Sequence, residues 1–287
     1  VNESQARILI GDLVGDPKVI FVAGKGGVGK TTISHLLGHL GTLTGLRTVV
    51  VTLEQLAHDQ ADDVPIINLA PDRVMVEYLE SHGFGPLAAR LENTGVIDAV
   101  ATAIPGIKDL LVLAKIKQLS QSGEWDLVLV DSPASGHTLS MLLSPEGLGE
   151  IATEGPISDQ SSEVIDLLSN HELSGVVIVT IPEESPITEA VETIDLLTHK
   201  VGVNVVSVII NQMPATPPQP ETTPPEGTAE GSALTYLTHR HDLATYQVKR
   251  LKRAFEGPAF LIEGIPDRIG TAAMTVTLLE QLARREQ

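Results

Sequence analysis

The sequence predicts an α/β fold: a mostly parallel, doubly wound sheet flanked by helices, with a small helical lobe. Three observations carry this. Runs such as "KVIFVA" (Lys18 to Ala23), "DLVLVD" (Asp126 to Asp131) and "GVVIVTIP" (Gly175 to Pro182) are nearly continuous in apolar residues, as strands buried on both faces are. Helix-spaced stretches separate several of them, giving the strand, helix, strand order of parallel sheets. The chain has 287 residues, 42% of them hydrophobic, enough to bury a core of that size.

The elements follow in order. After the strand at Lys18 to Ala23, "GKTTISHLLGHLGTLTG" has helical spacing from Gly29 and stops near Gly45. "RTVVVTLE", Arg47 to Glu54, reads as a second strand ending on an acid. Gln55 to Gln121 is polar at first and then helix-like, with breaks at Pro71, Pro86 and Pro105, so a helical excursion off the sheet is expected at about residues 70–121. Asp126 to Asp131 returns to the sheet. Gly175 to Pro182, Ile187 to Gly202 and Asn204 to Asn211 form a second βαβ unit, with a right-handed crossover expected. The proline-rich stretch over residues 213–230 is expected to be an exposed loop, because its prolines lack amide donors and clash with helical geometry. Thr235 to Glu256 reads as a helix, "PAFLIEGIP" (Pro258 to Pro266) as a final short strand running into a loop, and Thr271 to Gln287 as a closing amphipathic helix. No internal repeat is apparent, so residues 1–287 are read as one domain.

Composition narrows the chemistry. There is no cysteine, which excludes disulfides, thiolate zinc sites, iron-sulfur ligation and a cysteine nucleophile. Thirty-seven acids against nineteen bases give a formal charge of -18, so nucleic acid is not the expected partner. No run reaches the roughly 18 apolar residues of a membrane span, and the first residues lack the basic, apolar, small-residue order of a secretory leader. A cytoplasmic protein without a transmembrane segment is the expectation.

The most informative stretch is "VAGKGGVGKTT", Val22 to Thr32. Gly24 to Thr31 fits the phosphate-loop pattern of glycine, four residues, glycine, lysine, threonine, in the required setting between a strand and a helix. Backbone N–H groups of Gly26, Gly27, Val28 and Gly29 would face phosphate oxygens, Lys30 would reach the β and γ phosphates, Thr31 would ligate Mg2+, and Thr32 would add a hydroxyl toward the α phosphate. ATP is favoured over GTP because no "NKxD"-like guanine-reading segment is present. Lys25 is a second cation in the loop. It is either solvated, or placed to offset charge during phosphoryl transfer, on its own nucleotide or on that of a facing subunit.

Five further positions complete the candidate site. Asp131 ends a strand at the carboxyl edge, where nucleotides bind in doubly wound sheets, and is assigned to Mg2+ through a coordinated water. Glu54 ends another strand there and is a candidate general base for the attacking water, with His58 and Asp59 as weaker alternatives. In "DSPASGHT" (Asp131 to Thr138), Gly136 follows Pro133 and could bring its N–H close to the γ phosphate. Asn211 is suited to the adenine ring or to capping a loop, and Pro266, in "EGIPDRIG", is placed to close over the base.

These motifs together resemble the deviant-Walker branch of P-loop ATPases, and within it the family of the arsenite-pump ATPase and the tail-anchored-protein targeting factor. "GKGGVGKTT" with Lys25 marks the branch. "DSPASGHTLSMLLSP" is similar to the family's second switch, "VTIPEESPITEAVETIDLL" and "SVIINQMP" to its later strand, helix and adenine segment, "IPDRIG" to its closing loop, and "IPGIKDLLVLAKI" to the helix before the second switch. The resemblance implies an Mg2+-dependent ATPase that closes as a homodimer, or pairs with a paralogue, and so presents a surface to a protein or membrane-associated client. Lys25 would cross to the partner's phosphates, Lys30 would bind in cis, Gly136 would sense the γ phosphate and Asn211 would contact adenine.

The sequence also departs from that family. Where the first switch usually reads aspartate, proline, alanine, this chain has "LEQLAHD", with Glu54 in the aspartate's place. Without cysteine, neither an arsenite thiolate site nor a shared interfacial zinc can form. No methionine lies between Pro145 and Leu173, which argues against a soft, adaptable client groove there. The pattern looks closer to bacterial members of the family. Two other readings stay open: an ATP-binding scaffold or weakly hydrolysing subunit of a heterodimer, and a partitioning-type ATPase attached to DNA or membrane through "KRLKR" (Lys249 to Arg253), which is read more plainly as one solvated helical face.

Overall fold

A computed structural model describes residues 3–53, 64–81, 104–220, 224–225 and 227–264. Among them are seven strands: β1 Val19–Ala23, β2 Thr48–Thr52, β3 Ile66–Asn68, β4 Leu127–Asp131, β5 Ser174–Thr180, β6 Val205–Met213 and β7 Ala259–Glu263. They form a single sheet in the order β3-β2-β4-β1-β5-β6-β7, and every neighbouring pair is parallel. Eight α-helices accompany it among the described residues: α1 Glu3–Val14, α2 Lys30–Leu43, α3 Pro71–Leu79, α4 Ile107–Gln121, α5 Ser135–Ile151, α6 Pro156–Ser169, α7 Glu184–Leu196 and α8 Ala229–Ala254. The fold is the α/β arrangement of P-loop NTPases, with a sheet that is wholly rather than mostly parallel over these residues.

The continuous apolar runs become strands because both of their faces are covered. Along β1, Val19, Phe21 and Ala23 point into a core shared with α3 to α8, while Ile20 and Val22 point into a second core shared with α1 and α2. Every residue of β1, β2 and β5 is buried. Each fully buried Val, Ile or Phe in them contributes about 2 kcal/mol of apolar transfer. The result fixes β1 at the centre, between β4 and β5, and aims the loop after it at the carboxyl edge of the sheet.

Sequence periodicity and structure differ in several places, among them the helices α5 and α6, which fill a stretch given no element from sequence. A parallel edge strand, β3, pairs with β2 inside the stretch read as polar and then helical; three residues with two of them exposed leave no apolar run to detect. The first residues, given no element from sequence, form α1, which buries Leu9, Ile10, Leu13 and Val14 against the α2 side of the sheet. The helix read as starting at Ile187 begins at Glu184 and ends in a π-helical turn, Leu197–Val201, closed by Gly202 at φ 71°. The helix read as starting at Thr235 begins at Ala229, where the Thr228 side chain accepts a hydrogen bond from the Gly231 amide at 3.1 Å.

Two helices bear on the site. Helix α5 continues through Pro145, which cannot donate to the Met141 carbonyl; the Ser144 hydroxyl donates to that carbonyl instead, at 2.8 Å. Helix α8 buries Ala244, Gln247, Val248 and Leu251 and leaves Tyr236, Leu237, Leu243, Tyr246, Lys249, Lys252 and Arg253 exposed, so "KRLKR" contributes Leu251 to the core and three bases to solvent. No helix among the described residues is long and apolar enough to cross a membrane.

Candidate functional site

The loop from Gly24 to Gly29 joins β1 to α2. At Gly24, φ is 149° and a Cβ would lie 2.0 Å from the Val179 carbonyl oxygen of β5, so only glycine lets the loop leave the sheet there. At Gly29, φ is 95° and a Cβ would lie 2.5 Å from the Asn211 amide nitrogen. Gly26 and Gly27 are exposed, with nothing among the described residues within 4 Å of where a Cβ would stand. Helix α2 starts from Gly29 with no side-chain cap and no acid in its first turn, so its first amides and positive dipole end face the loop.

Beneath the loop, Thr31 and Asp131 meet. The Thr31 hydroxyl donates to Asp131 Oδ2 at 2.7 Å, and the buried Ser34 hydroxyl donates to Oδ1 at 3.3 Å. Burial pushes the Asp131 carboxyl above the usual aspartate range, against the opposing pull of the Thr31 and Ser34 hydrogen bonds and of the nearby Lys30 and His35. Position in the sheet makes this contact: Asp131 is the last residue of β4, in register with Val22 of β1 and Thr52 of β2. Sequence reading found Thr31 and Asp131 but not Ser34, which sits one helical turn beyond Thr31 and shares its face.

The two lysines diverge. Lys30 Nζ donates to the Lys25 carbonyl at 3.3 Å, folding back over the loop. Lys25 points away toward α7, where its Nζ donates to Ser185 Oγ at 2.7 Å and lies 3.3 Å from Glu189 Oε2. The other Glu189 oxygen accepts from the Ser135 hydroxyl. Ser135 opens α5 and its amide donates to the Gly24 carbonyl at 3.1 Å, so the helix carrying Gly136 is tied directly to the phosphate loop. Gly136 itself is exposed, with nothing among the described residues within 4 Å of where a Cβ would stand. Ser135, Ser185 and Glu189 were not singled out from sequence. With the helix read as starting at Ile187, Ser185 fell outside it, so neither its i, i+4 relation to Glu189 nor the partner they face was legible.

Asn211 lies near the carboxyl end of β6, beside the loop. Its side-chain nitrogen donates to the Val28 carbonyl at 3.0 Å and its oxygen accepts from the Gln212 amide at 2.9 Å. It therefore braces the loop in this structure. Thr32 stands on the first turn of α2. Glu54 with His58 and Asp59, Pro266 with the rest of "IPDRIG", and the helix expected at Thr271 to Gln287 lie outside the described residues.

The residues present fit a nucleoside triphosphate with Mg2+. A glycine loop with two ammonium groups, an uncapped helix start and no acid in its first turn suits polyphosphate, and a hydroxyl hydrogen-bonded to a half-buried carboxylate suits a hard cation.

A parallel sheet whose central strand runs through such a loop into a helix, with a carboxylate from the neighbouring strand beneath it, defines the P-loop nucleotide-binding class. The anion-transporting ATPase family matches residues 17–157. Over that stretch, just under half of its length, the chain is similar to this family. It is 27% identical over 218 residues to the ATPase BagA of Mycobacterium tuberculosis, covering 67% of this chain and 64% of that protein. It is 27% identical over 251 residues to an ATPase ASNA1 homolog of Entamoeba dispar, covering 68% and 76%, and 29% identical over 181 residues to the ATPase get3 of Schizosaccharomyces japonicus, covering 54% and 55%. The chain thus spans under two thirds of the length of the mycobacterial relatives.

Proposed function

We propose that the protein is an Mg2+-dependent ATPase whose subunits close around nucleotide and use turnover as a conformational switch. The observation that carries this is the Thr31–Asp131 pair at 2.7 Å beneath the start of α2, at the end of a family-matched phosphate loop. When bound, Mg2+ supplies Lewis-acid stabilisation of the phosphoryl oxygens. In this reading Thr31 ligates the ion directly and Asp131 through water. The amides of Gly26, Gly27, Val28 and Gly29 and the Lys30 ammonium hold the phosphates, with Thr32 on the α phosphate. Asn211 and Pro266 flank the adenine, and the Gly136 amide senses the γ phosphate. Glu54 orients and deprotonates the attacking water, and Lys25 acts on the nucleotide of the facing subunit.

That subunit is a second copy or a paralogue, and the surface reshaped by closure receives a protein or membrane-associated client in the cytoplasm. The family match, the relatives' shared description as ATPases and the tie between α5 and the loop support this reading. Residues 1–287 are taken as one P-loop domain, with the stretch near 70–121 as its helical excursion. The test is ATP turnover by the purified chain with and without Mg2+, and with Glu54→Gln. Turnover that needs Mg2+ and falls at least tenfold in the variant supports the proposal. Tight ATP binding with no turnover, alone or with a paralogue, would leave a nucleotide-binding scaffold instead.

A further inference from the structure

We propose that Glu189 is a positioning residue for Lys25: it holds the lysine on its own subunit and so sets how readily two subunits close. The inference rests on the reading of Lys25 as a group that acts across an interface. Lys25 Nζ lies 3.3 Å from Glu189 Oε2 and donates to Ser185 Oγ at 2.7 Å. Ser185 and Glu189 stand four residues apart in the first two turns of α7, so they share one face and grip the ammonium together. Helix α7 contains three glutamates, one aspartate and no lysine or arginine, which makes it the acidic side of this contact.

Glu189 also joins Lys25 to the second switch. Its Oε1 accepts from the Ser135 hydroxyl, and the Ser135 amide donates to the carbonyl of Gly24, the residue before Lys25. One carboxylate therefore spans the loop lysine and the residue before Gly136. Moving Lys25 off Glu189 leaves that carboxylate, among the described residues, to Ser135, so lysine release and the start of α5 are coupled through it.

The holding is weak enough to be reversible. The Lys25 and Glu189 side chains keep 39% and 34% of their exposure, and an ion pair so placed shifts an equilibrium by no more than about fivefold. A triphosphate presented by a facing subunit carries several negative charges and outcompetes a single carboxylate for the ammonium. Ser185 and Glu189 thus act on association, without touching nucleotide.

The experiment measures ATP turnover against protein concentration for the unaltered chain, Glu189→Gln, Lys25→Met and the double variant, with melting temperatures confirming that each folds. The expected result is that Glu189→Gln reaches half-maximal turnover at a protein concentration roughly two- to fivefold lower, with unchanged affinity for ATP in dilute protein. The double variant should match Lys25→Met. An unchanged or higher half-maximal concentration in Glu189→Gln overturns the proposal. Full turnover in Lys25→Met defeats the underlying reading of the lysine instead. A second measurement then decides on the contact itself: acetylation of the Lys25 amine by acetic anhydride, followed by mass spectrometry without nucleotide. Faster acetylation in Glu189→Gln supports the holding contact, and an equal rate overturns it.

Discussion

Thr31 and Asp131, a hundred residues apart in sequence, are joined by a 2.7 Å hydrogen bond at the carboxyl edge of the sheet. Thr31→Ala is therefore expected to lower Mg2+-dependent nucleotide affinity by at least tenfold while leaving the weaker Mg2+-free binding nearly unchanged. Thr31→Ser should restore most of the difference. Calorimetric titration with and without Mg2+ reads both quantities.

The same site gives a pH dependence of definite sign. Burial raises the Asp131 carboxyl, and the Mg2+ role proposed for it needs it ionised. The Mg2+-dependent part of nucleotide affinity should accordingly decline as pH falls, beginning at a higher pH than an ordinary aspartate would give, and Asp131→Asn should flatten the profile. An identical profile in the variant would show that another group controls it.

A second pH effect concerns the fold. Arg47 donates to both carboxylate oxygens of Asp126, at 2.6 and 3.0 Å, and its backbone amide adds a third bond at 2.9 Å. These hold the Asp126 carboxyl at about 2, below its ordinary value of about 3.9. The folded value is lowered, so the stabilisation is fully present above the unfolded value and is lost as pH falls toward the folded one. The melting-temperature gap between the unaltered chain and Asp126→Asn should narrow between roughly pH 4 and pH 2, the window those two values set.

Backbone geometry separates the glycines of the loop. Gly24→Ala places a Cβ on the Val179 carbonyl and is expected to cost about 3 kcal/mol or more, enough to lower the melting temperature by several degrees. Gly26→Ala meets no atom of the described residues within 4 Å and should fold normally, so any loss it causes would appear in nucleotide binding alone.

Helix α5 offers a test inside the core. Ser144→Ala leaves the Met141 carbonyl without the hydroxyl that replaces the donor missing at Pro145, and is expected to cost about 1 kcal/mol by denaturant unfolding. Adding Pro145→Ala supplies an amide to the same carbonyl and should recover part of that loss.

The central sheet was readable because β1, β2, β4 and β5 are buried on both faces and so carry uninterrupted apolar runs. Edge strand β3 was not, since exposure on an edge relaxes that demand. The phosphate loop was legible for a different reason: Gly24 and Gly29 answer to local backbone conformation, which a short motif encodes. The pairing of Thr31 with Asp131 followed from strand ends sharing an edge. The engagement of Lys25 by Ser185 and Glu189 did not, because it depends on which helix the fold brings beside the loop, and two polar residues one turn apart are common on any solvated helix.

The bond from the Ser135 amide to the Gly24 carbonyl has a spectroscopic consequence. An amide so engaged exchanges its hydrogen with solvent only when the start of α5 separates from the loop. Deuterium uptake at Ser135 is thus a local clock for the separation of these two segments, readable in the apo chain and at each nucleotide state without any label near the phosphates.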